Sequence, residues 1–172
     1  HTHLNGTGIG DLGDILFMPT TGTPTTFKGT FDDLSKGYVS IFSHSNEKVQ
    51  PGYYSVLLQK YGIKAELTAT SRVGYHRYTF PESVESNIII DLGEGIDWDE
   101  PTETMLKQID ARTIEGYRYS RGWAKNQKIY FTAVFSKDMN FTKVVEPVFR
   151  PRSNDSIDVQ KAVLSFETKK NE

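Results

Sequence analysis

Residues 63–70 read Ile-Lys-Ala-Glu-Leu-Thr-Ala-Thr, a strict alternation of apolar and polar side chains. Successive side chains of an extended strand point to opposite faces of a sheet. The apolar residues from Ile63 to Ala69 therefore share one face, and the polar residues share the other. This pattern predicts a β-strand that covers a core with one side and meets water with the other.

The period of two recurs along most of the chain. In residues 127–135 it places four side chains on the inner face, namely Ile129, Phe131, Ala133 and Phe135. Further strands are predicted at residues 15–18, 38–43, 53–59, 73–80, 87–92, 105–115, 117–120, 141–149 and 159–167. Residues 99–107 are the one stretch that also permits a short helix or turn, and residues 46–52 and 153–156 read as loops.

Turn-forming residues separate these strands at short intervals, as at Pro51-Gly52 and Tyr61-Gly62. The two connections within residues 53–80 are too short to join parallel strands, so they predict a three-stranded antiparallel meander. Many short strands with regular turns are typical of a β-sandwich or barrel. The sequence therefore predicts an all-β, antiparallel fold.

Composition limits the classes of function. The chain has 172 residues, a length that fits one domain, and a net charge of −2 without any basic cluster. This balance argues against nucleic acid or an anionic membrane as a partner. The absence of cysteine excludes disulfides and thiol catalysis, and no apolar run reaches the length of a membrane span.

The chain opens on residues 1–15, HTHLNGTGIGDLGDI, without an initiator methionine or a signal peptide, which indicates a processed or truncated start. In extended backbone His1 and His3 point the same way, so they either share a metal ion or hydrogen-bond a neighbouring surface.

Residues 8–13 match a GxGxxG pattern, but no strand precedes the glycines and no helix follows them. We expect a tight loop where the backbone passes close to another surface.

Residues 117–123 combine guanidinium groups with aromatic rings at Arg118, Arg121 and Trp123. Planar donors beside aromatic faces suit the binding of a sugar or of a partner domain. The alternative is a strand edge that extends its charges into water. The residue types alone favour neither interpretation.

Acidic residues crowd the stretch that follows Gly93: Glu94, Asp97, Asp99, Glu100 and Glu103. A pair of carboxylates is sufficient for glycoside hydrolysis, so this stretch is a candidate for catalysis. A solvated polar loop is the commoner meaning of such a cluster, and it is the interpretation we adopt here.

Three segments taken together resemble the N-terminal domain of the alpha-mannosidases of glycoside hydrolase family 92. They are HTHLNGTGIGDLGDILFMPTTG, SHSNEKVQPGYYSVLLQKYGIKAELTATSRVGYHRYTFP and TIEGYRYSRGWAKNQKIYFTAVFSK, in the order of the family. The resemblance covers most of residues 1–137 and weakens afterwards. It implies that residues 1–172 form a single antiparallel β-sandwich domain of the supersandwich, galactose-mutarotase-like type. It also implies that the chain starts inside that domain, because further strands precede this segment in the family.

The resemblance implies a role in a two-domain enzyme whose C-terminal helical domain carries the catalytic acid and base. Such enzymes hydrolyse alpha-linked mannose, for example alpha-1,2 linkages of glycans, with inversion and with calcium. The present chain would then be non-catalytic, inactive alone and without calcium of its own, and would shape the sugar pocket at the domain interface. The residues expected near the substrate or the interface are His1, His3, Gly6, Gly8, Arg121 and Trp123.

The expected partners are a mannose-containing glycan and the helical catalytic domain of the same parent chain, with no nucleic acid and no membrane span. Open strand edges also predict a homo-oligomer. The resemblance implies a secreted, periplasmic or bacterial cell-surface location. Two other classes remain open: a free-standing carbohydrate-binding module, which needs aromatic side chains on an exposed platform, and a structural sandwich of a surface or adhesion protein.

Overall fold

The computed structural model describes residues 13–30, 32–95 and 98–172. Within them the chain forms strands joined by turns, with one short 3-10 helix at His44–Asn46. The strands are β1 Leu16–Thr21, β2 Glu47–Gln50, β3 Tyr53–Leu58, β4 Ile63–Ala69, β5 Gly74–Thr79, β6 Ser83–Asp91, β7 Glu100–Asp110, β8 Thr113–Arg121, β9 Gln127–Val134, β10 Asn140–Arg150 and β11 Asp155–Thr168. The predicted all-β, antiparallel class is confirmed.

The strands form two four-stranded sheets, in the orders β1-β6-β11-β10 and β2-β3-β4-β5, and a three-stranded sheet, β7-β8-β9. Contacts divide the chain into two compact units. Unit 1 consists of the residues up to Met18 together with Ile88–Ser165, and unit 2 consists of Pro19–Asn87 together with Phe166–Glu172. Among the described residues, no helix has the length and hydropathy that crossing a membrane requires.

Unit 2 contains the predicted meander, in which β3, β4 and β5 pair antiparallel. In β4, Ile63 and Ala65 are buried as the alternation predicts, but Leu67 is half-buried and Ala69 is exposed. The polar face was predicted to meet water, and this is wrong at Glu66, which is buried because it pairs with Arg77. Residues 47–50, predicted as part of a loop, instead pair with β3 as an added edge strand. The strand predicted at residues 38–43 is wrong, because this segment forms no regular ladder although Tyr38 is buried and donates its N–H to the carbonyl of Phe27 at 2.9 Å.

Unit 1 contains the hairpins of β7, β8 and β9. The single strand predicted at residues 105–115 is wrong, because a turn at Ala111 and Arg112 divides it. The Asp110 Oδ1 atom accepts a hydrogen bond from the Arg112 N–H at 2.8 Å and closes that turn. Residues 99–107 are neither helix nor turn, since β7 occupies them from Glu100 onward.

The core of unit 1 includes Leu106 of β7, Ile114 of β8, and Val159 and Leu164 of β11, all of which are buried. The side chain of Gln160 accepts a hydrogen bond from the Leu106 N–H at 2.7 Å, and the Gln160 N–H donates to Thr104 Oγ1 at 2.8 Å. These hydrogen bonds connect β7 to β11.

Candidate functional site

The sequence-predicted site residues fall into two groups. His1, His3, Gly6 and Gly8 lie outside the described residues, so their proximity to a substrate or interface stays a prediction. Arg121 is the last residue of β8, and Trp123 lies in the loop that leads to β9. Trp123 is 68% exposed, and its loop is closed by a hydrogen bond from the Gly122 N–H to the Ala124 carbonyl at 3.0 Å.

Arg118, grouped with Arg121 by sequence, has a different environment. Its side chain is fully buried at 0% exposure. The Nη2 atom lies 2.6 Å from Asp99 Oδ2 and the Nη1 atom lies 3.1 Å from Asp14 Oδ1, while Nε donates to the Leu92 carbonyl at 3.0 Å. Neither a surface contact nor a solvated strand edge describes Arg118, which is a buried cation shared by two carboxylates.

Asp14 links the start of β1 to β8 and β9. Besides Arg118, it accepts a hydrogen bond from Gln127 Nε2 at 2.6 Å. Burial raises the pKa of Asp14, although the hydrogen bond from Gln127 and the charge of Arg118 act in the opposite direction. Asp14 therefore fixes the backbone just before β1 against the strands that carry the candidate site.

Arg121 is positioned by a different buried carboxylate, that of Glu100, which is 5% exposed. Glu100 Oε1 accepts from the Arg152 N–H at 2.6 Å, and Glu100 Oε2 accepts from Ser153 Oγ at 3.2 Å and from Arg121 Nη2 at 3.3 Å. The Arg121 side chain remains 43% exposed. The hydrogen bond to Glu100 therefore holds the Arg121 guanidinium in place, while part of the Arg121 side chain stays accessible to a ligand or a partner domain.

The solvated loop predicted for the acidic stretch is wrong at Asp99 and Glu100, because both are buried and paired with arginines. Glu103 is exposed on β7, and Asp97 lies outside the described residues. A general acid must reach its substrate with a transferable proton, whereas the carboxylates of Asp99 and Glu100 are buried and directed at arginine side chains. The arrangement suits support of the site rather than acid catalysis.

A further buried cation, Lys161, was not predicted. Its Nζ atom lies 2.9 Å from Asp91 Oδ2 and 3.0 Å from Glu146 Oε2. Burial lowers the pKa of Lys161, but Asp91 and Glu146 outweigh that effect and the net shift is upward. For Arg118 the sequence does carry a signal, because Arg118 is in register with the buried Ile114 and Gly116 on β8.

The family resemblance raises the question of a calcium site. In residues 13–30, 32–95 and 98–172, no group of three or more histidine, cysteine or acidic side chains is arranged to hold a metal ion. The buried carboxylates of Asp14, Asp99 and Glu100 are already neutralised by arginines. The carboxylates of Asp14, Asp99 and Glu100 therefore do not fit a calcium site.

Comparison with known proteins identifies the family. The family model described as the glycosyl hydrolase family 92 N-terminal domain matches residues 1–172. The solved structure of the family GH92 alpha-mannosidase BT3965 from Bacteroides thetaiotaomicron is similar with 40% identity and a TM-score of 0.85. That similarity covers 99% of this chain and 24% of BT3965, and the structure of BT3965 in complex with mannoimidazole gives the same values.

A more distant likeness supports the fold alone. The GH92 family glycosyl hydrolase ccman5 is 23% identical with a TM-score of 0.65, over 90% of this chain and 22% of ccman5. No curated protein matches the sequence. The chain thus spans about a quarter of the length of the solved enzymes it resembles. Because the family model matches every residue from 1 to 172, this chain belongs to the N-terminal domains of glycosyl hydrolase family 92.

Proposed function

We propose that this chain is the non-catalytic β-sandwich part of an alpha-mannosidase. The observation that carries the proposal is the 40% identity to the alpha-mannosidase BT3965 across 99% of the chain. The parent enzyme would hydrolyse alpha-linked mannose of glycans, with alpha-1,2 linkages as the expected substrate. The acid and base would come from a C-terminal helical catalytic domain of the same parent chain.

In this proposal the chain shapes the sugar pocket at the domain interface. The end of β8 suits that role, since Arg121 is anchored by the buried Glu100 and Trp123 presents an exposed ring two residues later. A guanidinium offers planar donors to sugar hydroxyls, and an indole offers an apolar face to sugar C–H groups. His1, His3, Gly6 and Gly8 are proposed to approach the same pocket or interface.

The proposal also includes the finer properties expected of the family: inversion at the anomeric carbon, calcium dependence, and a secreted, periplasmic or cell-surface location. Calcium would be bound in the full-length enzyme and not by this chain alone.

An assembly through open strand edges is a further expectation. Light scattering at high concentration tests it, and a monomer would contradict it.

The test compares the polypeptide encoded by the full gene with the 172-residue chain, using an aryl alpha-mannoside with calcium and with a chelator. We expect turnover by the full polypeptide that the chelator abolishes, and none by the chain alone. NMR of the first-formed product identifies inversion from the β-anomer, and linkage-defined mannobioses identify the preferred bond. Turnover by the isolated chain that a single carboxylate substitution abolishes would overturn the non-catalytic assignment, and no mannosidase activity in the full polypeptide would overturn the parent activity.

A further inference from the structure

Three tyrosines lie together on the outward face of the β7-β8-β9 sheet in unit 1. Tyr117 and Tyr119 are two residues apart on β8, and the register pairs Tyr117 with Tyr130 of β9. Residues at this spacing point to the same side of a strand. Tyr130 is 65% exposed, so its ring is largely open to solvent. We call Tyr117, Tyr119 and Tyr130 the tyrosine face.

The rings of the tyrosine face hold one another in place. Tyr117 and Tyr119 stack with centroids 4.7 Å apart and planes at 23°. Tyr130 meets Tyr119 edge to face at 5.7 Å and 72°, and the Lys128 Nζ atom lies 4.7 Å from the Tyr119 centroid. Both the edge-to-face pair and the cation over a ring are favourable arrangements. The exposed ring is therefore oriented before any ligand arrives.

Polar groups surround these rings. The hydroxyls of Tyr119 and Tyr130 are 2.5 Å apart, and the Tyr117 hydroxyl donates to Glu103 Oε1 at 2.6 Å. The hydrogen bond with Tyr130 raises the pKa of Tyr119 to about 12, and the bond to Glu103 raises the pKa of Tyr117. The hydroxyls of Tyr117 and Tyr119 therefore stay neutral at physiological pH. The two charged groups that contact the rings, Lys128 and Glu103, are opposite in sign.

We propose that the tyrosine face binds a pyranose unit of an uncharged oligosaccharide, with the C–H face of the sugar on the Tyr130 ring and sugar hydroxyls at Glu103 and Lys128. The negative face of an aromatic ring attracts weakly positive C–H groups, and a pyranose combines such a face with a rim of hydroxyls. Tyrosine supplies this contact area with little loss of conformational entropy.

The balance of charge selects the class of ligand. One carboxylate and one ammonium contact the rings and offset each other, so the contacts with the rings include no excess positive charge to attract an anion such as nucleic acid. A sugar uses both groups, because its hydroxyls donate to Glu103 and accept from Lys128. The inference goes beyond the proposed function, since it concerns binding by this surface and not hydrolysis.

The test titrates the 172-residue chain with an alpha-linked mannotetraose and with cellotetraose, following backbone amide NMR shifts. We expect binding of at least one of them with a Kd of about 1 mM or lower. Tyr130→Ala should weaken that binding by about tenfold, the upper range for loss of an aromatic contact. Tyr130→Phe keeps the aromatic ring and should retain most of the affinity. Val134→Ala should retain all of the affinity, because Val134 is exposed on the same face of β9 as Tyr130 but lies beyond the tyrosine face.

Each outcome decides for or against the proposal. Binding that Tyr130→Ala weakens and Val134→Ala does not, with unchanged unfolding temperatures in both variants, supports it, and the better ligand identifies the sugar. No amide shift with either oligosaccharide overturns it, as does binding that Tyr130→Ala leaves unaltered. A failed mannosidase assay of the full polypeptide would overturn the proposed function without affecting this result.

Discussion

Arg118 shows how a single buried side chain supports this site. An ion pair in the interior must offset the cost of removing its charges from water, and Arg118 does so with two carboxylates and a main-chain carbonyl. Because the same carboxylates lie before β1 and before β7, the guanidinium fixes both segments to β8. Removing it would leave Asp14 and Asp99 buried and uncompensated.

We therefore expect Arg118→Met to lower the free energy of unfolding by about 3 to 5 kcal/mol, the usual cost of breaking a buried ion pair. Urea denaturation measures the change. The control is Arg112→Met, because Arg112 pairs with Asp138 at the exposed turn between β7 and β8. Exposed pairs contribute about 0 to 1 kcal/mol. Equal losses in the two variants would contradict the role assigned to Arg118.

Glu66 is a buried carboxylate of unit 2, and its contribution to stability depends on pH. Arg77 donates to it through Nε at 2.9 Å and Nη2 at 2.8 Å, and the Tyr53 hydroxyl donates at 2.6 Å. The hydrogen bonds from Arg77 and then Tyr53 hold the pKa of Glu66 far below its ordinary value of 4.5. A carboxylate with a lowered pKa in the folded state adds stability that is present above its unfolded pKa and is lost as pH falls through the folded one.

Glu66→Gln should therefore be less stable than the parent chain at neutral pH, and the difference should narrow steadily below pH 4.5. Thermal unfolding at a series of pH values measures it. Glu115→Gln is the matched control, because Glu115 is an exposed glutamate of β8. A stability difference that stays constant between neutral and acid pH would show that the ionised form of Glu66 is not the stabilising one.

At the scale of the element, alternation predicted most of the strands but not which charges they bury. β9 follows the pattern along its whole length, whereas β4 follows it at Ile63 and Ala65 but buries Glu66 on the face predicted to meet water. The turn between β7 and β8 was missed, since Ala111 and Arg112 carry no glycine or proline and only the Asp110 side chain marks it. Asp99, Glu100 and Arg118 were misplaced because residue type predicts water, whereas their mutual pairing permits burial.

Gly116 shows what close packing between strands requires of β8. A Cβ atom at this position would lie 2.6 Å from the Met105 carbonyl oxygen and 2.6 Å from Cε1 of Phe131. The Phe131 ring can rotate away, but the backbone of β7 cannot, so the two strands would have to separate. The glycine is required here by space, not by a special backbone conformation.

Gly116→Ala should therefore destabilise the chain by about 1 to 3 kcal/mol, as overpacking of a filled site does. Gly74→Ala in β5 is the control, because a Cβ there meets only the end of His76 at 3.5 Å. Chemical denaturation of both variants tests the difference. A loss at Gly74 as large as that at Gly116 would indicate a general cost of replacing strand glycines instead of a local clash.

At the scale of the whole molecule, the sequence predicted the family better than it predicted the site. Three separated segments were sufficient for the resemblance that the family model and the 40% identity confirm. The site required long-range pairing that no local pattern contains, such as Glu100 accepting hydrogen bonds from Arg121 and from the Arg152 N–H. Family membership reflects many positions together, whereas a site depends on a few contacts between residues distant in sequence.

Trp123 provides the most direct test of the role proposed for this domain in an alpha-mannosidase. Its ring is 68% exposed in the loop after β8, beside the anchored Arg121, so removing it should leave the fold of the chain intact. In the full-length enzyme, Trp123→Ala should reduce kcat/KM by the equivalent of about 1 to 3 kcal/mol if the ring stacks on the sugar or supports the pocket. Val134→Ala, an exposed apolar change on the outward face of β9, should leave kcat/KM unaltered. Unchanged kinetics in Trp123→Ala, with the unfolding temperature also unchanged, would remove Trp123 from the proposed pocket and leave Arg121 as the described residue on which that proposal depends.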